Sequence, residues 1–157
     1  MNNRGSIELG IFDLQITNNQ ILEIRNSADS VLIPKFKYPF SGSQFKIYLL
    51  TDHENVLYIG TTKNSIKNRL RYGLLASGKN GYHGYKWKSQ PTIKLHVWCF
   101  EGLDKEKIEN IEAEFVYLIR KETGKWPIYQ NEIHFNNLFD NQGEEIAESL
   151  YKQIQYI

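Results

Sequence analysis

Two runs rich in β-branched and aromatic residues, Gln44-Phe45-Lys46-Ile47-Tyr48-Leu49-Leu50 and Val56-Leu57-Tyr58-Ile59-Gly60, are separated only by Thr51-Asp52-His53-Glu54-Asn55. A connection that short, with Asp and Asn to make the turn, admits an antiparallel hairpin and leaves no room for a crossover. The chain beyond it predicts a helix capped by Asn64 or Ser65, with apolar side chains at Ile66, Leu70, Leu74 and Leu75 and an end before Gly78. A loop at Gly78-Lys79-Asn80-Gly81 leads to a third strand over Thr92 to Phe100, with Ile93, Leu95 and Val97 on one face. Asp104 is placed to cap a long helix that runs to about Glu122 and stops at Thr123-Gly124. A last strand is expected over Ile128 to Phe135. From residue 44 the order is β-β-α-β-α-β, which predicts a small α+β sandwich whose three- or four-stranded, mainly antiparallel sheet is flanked by helices.

Upstream, Ile7 to Leu14 and Gln20 to Ile24 flank Thr17-Asn18-Asn19 and read as a hairpin or as two turns of irregular β structure. Pro34, Pro39 and Ser41-Gly42-Ser43 punctuate the chain before the main unit. We therefore expect a β-rich extension over 1–42 packed on the core, a central unit over 43–136, and a C-terminal segment over 137–157 with a polar helix from Glu144 to Gln153. A length of 157 residues fits one domain. The single cysteine, Cys99, lies in the apolar run His96-Val97-Trp98-Cys99-Phe100, which excludes an internal disulfide and predicts a buried thiol in a reducing compartment. A polar N-terminus and the lack of any run of 18 apolar residues predict a cytoplasmic protein without a membrane partner.

The net charge of +1 conceals a strong asymmetry. Residues 55–100 carry eight basic side chains, Lys63, Lys67, Arg69, Arg71, Lys79, Lys86, Lys88 and Lys94, and no Asp or Glu, whereas residues 101–157 carry 6 basic and 12 acidic ones. Such a segment either concentrates positive potential for a polyanion or is balanced in three dimensions by the acidic final third.

The long helix adds a second oddity. At 100° per residue, with Ile108 at 0°, the apolar Ile111, Phe115, Val116, Leu118 and Ile119 all fall within about 80° of the origin, and Glu112 lands near 40°, inside their stripe. A carboxylate facing a core needs a cationic partner or takes a proton, so Glu112 either pairs with Arg69, lies at the stripe's edge, or holds a divalent metal.

Lys46-Ile47-Tyr48, then Tyr58-Ile59-Gly60 ten residues after its tyrosine, then Arg69 on the following helix and Glu112 on a later one, resemble the GIY-YIG nuclease family over roughly residues 44–135. Matched one by one, Tyr48 and Tyr58 fall on the family's two tyrosines, Arg69 on its arginine, Glu112 on its metal-binding glutamate and Asn131 on its terminal asparagine. Ile111-Glu112-Ala113-Glu114-Phe115-Val116 is similar to the stretch around that glutamate in excision-repair endonucleases. The chain departs from the pattern at Lys46, where the family has a glycine, and at Gly73, where it often has histidine or tyrosine. Tyr72 and His83 are then the candidates for an accessory base.

The resemblance implies an endonuclease that hydrolyses phosphodiester bonds in double-stranded or branched DNA. Glu112 would hold one Mg²⁺ or Mn²⁺, as suits an ion that keeps waters and phosphate oxygens as its other ligands. Arg69 would grip the phosphate, and Tyr48 or Tyr58 would orient or deprotonate the water if Arg69, Lys63 or metal-bound hydroxide lowered its effective pKa. The basic residues Lys63, Lys67, Arg71, Lys79, Lys86 and Lys88, together with Tyr82 and His83, become nucleic-acid contacts. Tyr85 and Trp87 are open to two readings, base stacking or packing beneath the loop. A single site cutting two strands calls for either a homodimer or two encounters. The alternatives are a noncatalytic nucleic-acid-binding module on the same fold, motivated by Lys46 and Gly73, and a protein that docks a partner through its acidic helices.

Overall fold

A computed structural model describes residues 5–130, 133 and 141–156. Its elements are β1 (Ile7–Thr17), β2 (Gln20–Asn26), β3 (Leu32–Ile33), β4 (Phe45–Thr51), β5 (Val56–Thr62), α1 (Ile66–Leu75), β6 (Thr92–Phe100), α2 (Lys105–Thr123) and α3 (Gln142–Tyr151). The fold is α+β. Helix α1 begins where Ser65 Oγ accepts from the Asn68 amide, and α2 begins where Asp104 accepts from Lys107 and ends at Gly124 with φ 75°. These are the boundaries that the capping residues predict.

The sheet has six strands rather than three or four, in the order β3-β2-β1-β6-β4-β5, with every neighbouring pair antiparallel. The difference comes from the N-terminal hairpin, which continues the sheet. Asn18 and Asn19, with φ of 52° and 58°, form the two-residue turn that matches strand twist. β1 then pairs with β6 from Ile7↔Phe100 to Gln15↔Thr92. Apart from Thr92, every residue of β6 is buried, so this strand has apolar neighbours on both faces and a strand on each edge. The last strand expected over 128–135 does not form at Ile128 to Gln130. These residues turn along the outer edge of β5, where the Ile128 and Tyr129 amides donate to the Val56 and Leu57 carbonyls at 3.0 and 2.8 Å. The rest of that segment, Ile133 apart, lies outside the described residues, and so does Asn131.

Two cores form, one on each face of the sheet. Leu50, Leu57, Leu95 and Val97 pack beneath α1 and the loop after it, while Ile47, Leu49, Ile59 and Trp98 pack beneath α2 and α3. The C-terminal residues close the second face. Trp98 Nε1 donates to Gln153 Oε1 at 2.8 Å, Thr51 Oγ1 donates to the Gln155 carbonyl at 3.1 Å, and the Gln155 amide donates to His96 Nε2 at 2.8 Å. Cys99 is buried, as its apolar surroundings predict. Among the described residues, no helix is long and apolar enough to cross a membrane.

Candidate active site

Because β5 is the edge of the sheet, helices on opposite faces can reach one cleft around it. The register of β4 and β5 slips between Leu50 and Thr51, leaving Leu57 as an extra residue and turning both Leu57 and Tyr58 toward the α1 face. Tyr58 therefore looks along the sheet edge. Arg69 comes from α1 and Glu112 from α2, and with Tyr58, Tyr85, Tyr129 and Gln130 they line a cleft of about 290 Å³. Gln130 is held there by the Ile59 amide, which donates to its Oε1 at 3.1 Å.

Tyr48 lies behind this wall rather than in it. Its side chain is fully buried, opposite Gly60 across the hairpin, and a Cβ on Gly60 would stand 2.6 Å from the Tyr48 hydroxyl. Glycine at position 60 thus makes room for the phenol. Arg69 Nε donates to Tyr48 Oη at 3.1 Å, and Tyr48 and Tyr85 share a hydroxyl contact of 3.3 Å. Burial pushes the Tyr48 pKa well above its ordinary value, with Tyr85 adding to the shift and Arg69 only partly opposing it. Arg69 by itself does not bring this pKa down, because burial outweighs it. Burial, together with Tyr48, also raises Tyr58.

Tyr85 is the residue that sequence reasoning left between two roles. It is buried, it donates from its hydroxyl to the Arg69 carbonyl at 3.1 Å, and its ring lies under the Arg69 guanidinium at 5.5 Å. It is also stacked on Trp87, with centroids 4.4 Å apart. The signal for it was Gly73. A Cβ there would fall 1.8 Å from the Tyr85 ring, so the glycine on the buried side of α1 is the gap through which Tyr85 reaches Arg69. Tyr85 thus occupies the neighbourhood for which Tyr72 and His83 were candidates. Tyr72 is exposed and stacks on Tyr82, and His83 is exposed beside Gly78.

Lys46 has an equally concrete place. Its ammonium is buried and donates to the carbonyls of Gly42, Gln44 and Asn64 at 2.7, 2.8 and 3.1 Å, tying the loop before β4 to the loop before α1.

Glu112 is partly buried, and no ion pair joins it to Arg69. Desolvation raises its pKa to about 7, Glu109 adds to this, and Arg69 opposes it. A carboxyl group in that state accepts a proton or a cation readily. Among the described residues there is no cluster of three or more His, Cys, Asp or Glu side chains. One carboxylate in a polar cleft is still a donor set that a hydrated Mg²⁺ accepts.

The basic residues divide. Lys86 and Tyr82 line the cleft. Lys88 does not, because its ammonium donates to the Ala76 and His83 carbonyls and braces the loop. Lys63 sits over the Phe45 ring at 5.1 Å, and Lys79 is exposed on the loop. Lys67 and Arg71 line a separate groove on the other flank of α1.

No family model matches the sequence, and neither a curated protein nor a solved structure shows significant similarity to it.

Proposed function

We propose that the protein is a divalent-metal-dependent endonuclease of GIY-YIG type acting on DNA. The observation that carries this reading is the convergence of Arg69 and Glu112, from helices on opposite faces of the sheet, with Tyr58 in one cleft beside an acid-free, basic stretch of chain. The sheet has more strands than the family resemblance suggested, but the elements carrying these three residues keep the β-β-α-β-α order.

In this reading Arg69 binds the phosphate. Its Nε is committed to Tyr48, and Nη1 and Nη2 are left for two phosphate oxygens. Tyr48 fixes the guanidinium from behind the cleft, and Tyr85 supports it from the cleft wall. Tyr58, the tyrosine that lines the cleft, keeps its proton and orients the attacking water through its hydroxyl. Glu112 would hold the cation, which would neutralise charge on the phosphate oxygens and the leaving alkoxide, while the attacking water releases its proton to solvent and the alkoxide takes one from solvent. Lys86 and Tyr82 contact the strand at the mouth of the cleft.

Purified protein with Mg²⁺ or Mn²⁺ is expected to cleave supercoiled plasmid or branched DNA, with cleavage abolished in Glu112→Ala and Arg69→Ala. Absence of cleavage, or cleavage unchanged in both variants, would overturn the reading. A noncatalytic module was motivated by Lys46 and Gly73, and both have structural roles here that leave the cleft intact.

A further inference from the structure

Residues two apart on a helix are separated by about 200°, so Lys67 and Arg71 face away from the flank that carries Arg69. They line a groove of about 310 Å³ between α1 and the tip of the β1–β2 hairpin. Its apolar surface comes from Ile21, Leu74 and Leu75, and its polar rim from Lys67, Arg71 and the amides of Asn19 and Gln20. No carboxylate lines it, and neither cation has an ion-pair partner among the described residues. Leu75 is half exposed there.

The groove and the cleft lie on two flanks of α1, with exposed Tyr72 on the helix surface between them. Tyr72, 63% exposed, stacks on Tyr82 with centroids 5.0 Å apart and planes at 16°, and Tyr82 lines the cleft. Tyr72 stands three residues before Leu75 on the same helix, so an aromatic pair lies between Arg69 in the cleft and the Lys67 and Arg71 cations of the groove. Duplex DNA presents phosphates and hides its base faces. An unpaired strand presents both, and a cationic groove with apolar and aromatic surfaces is what such a strand requires.

We propose that this groove holds an unpaired DNA strand that leaves the cleft across Tyr82 and Tyr72, so that the preferred substrate carries a single-stranded overhang or flap next to the scissile bond. The proposal rests on the nuclease reading for its choice of DNA, but its test does not depend on cleavage. In EDTA, fluorescence anisotropy compares a blunt duplex with the same duplex carrying a ten-nucleotide overhang. The overhang is expected to bind about tenfold more tightly, within the range of one or two stacked bases. Leu75→Gln and the double variant Lys67→Gln/Arg71→Gln alter exposed positions and are expected to erase that preference. The double variant is also expected to reduce the slope of log affinity against log salt for the overhang substrate by about 1.4, two charges at ~0.7 each on a single strand. Equal affinity for the two substrates, or a preference that survives both variants, overturns the proposal. A protein that cuts plasmid yet shows no overhang preference refutes this inference and leaves the nuclease reading standing. One that prefers overhangs but never cuts does the reverse.

Discussion

Glu112, partly buried, and His96, fully buried, are titratable side chains with opposite consequences for stability. Glu112 in the folded protein titrates near 7, above the ordinary glutamate range, so between about pH 4.5 and 7 the folded state holds a proton that the unfolded state has lost. Its contribution to stability falls as pH rises through that window. His96 is held neutral by burial, with its pKa pushed down to about 4, so the unfolded state binds the extra proton below about 6.5 and stability falls as pH drops. Glu112→Gln is expected to raise the urea midpoint at pH 8 by the equivalent of about 1–2 kcal/mol and to leave it unchanged at pH 4. A shift of equal size at both pH values would show that packing, not charge burial, is responsible. Gly73→Ala forces a methyl group into the Tyr85 ring and is expected to cost about 1–3 kcal/mol in urea denaturation, and to abolish the proposed DNA cleavage as Arg69 loses its support. The glycine and Lys46 stood out in the sequence only as departures from a pattern. Their reasons, a ring to admit and three carbonyls to satisfy, belong to contacts that no spacing encodes.

At the scale of elements, helix ends were the most legible features, because a cap acts within three or four residues of itself. Ser65→Ala is expected to lower stability by about 1 kcal/mol through loss of the bond from the Asn68 amide, measured as a lowered Tm. Strand positions of β4, β5 and β6 were legible from residue type. The β4–β5 pairing followed from its short turn, but the partners of β6 were not legible. Alternation in β6 suggested one buried face, whereas both are buried, one in the core beneath α1 and the other beneath α2 and α3, and β1 takes the edge that β4 leaves open. The C-terminal segment is a similar case. Gln153→Ala removes the acceptor of the buried Trp98 indole and is expected to cost about 1–3 kcal/mol, read from chemical denaturation, although Gln153 lies beyond the last helix in an unremarkable polar stretch.

For the molecule as a whole, the position of β1 in the middle of the sheet decides how the chain can be divided. A fragment of residues 43–157 would leave β6 with a bare, apolar edge, and it is expected to aggregate or to lack cooperative unfolding by circular dichroism. A soluble, cooperatively folding fragment would show that the N-terminal strands are an addition to a self-sufficient core. Charge is organised at this scale too. The acid-free segment over 55–100 supplies the basic side chains of both the cleft and the groove, and α1 directs Arg69 to one and Lys67 and Arg71 to the other.

The sequence by itself determined the β4–β5 hairpin, the two capped helices, the burial of Cys99 and the place of Glu112 near a core, because each depends on interactions within a few residues or on a helical repeat. Tertiary structure alone decided that six strands share one sheet, that Tyr48 supports Arg69 from behind while Tyr58 faces the cleft, and that Tyr85 joins them. Those outcomes depend on edges finding partners and on a glycine letting a ring pass. Such contacts join residues far apart in the chain, and local pattern carries no record of them.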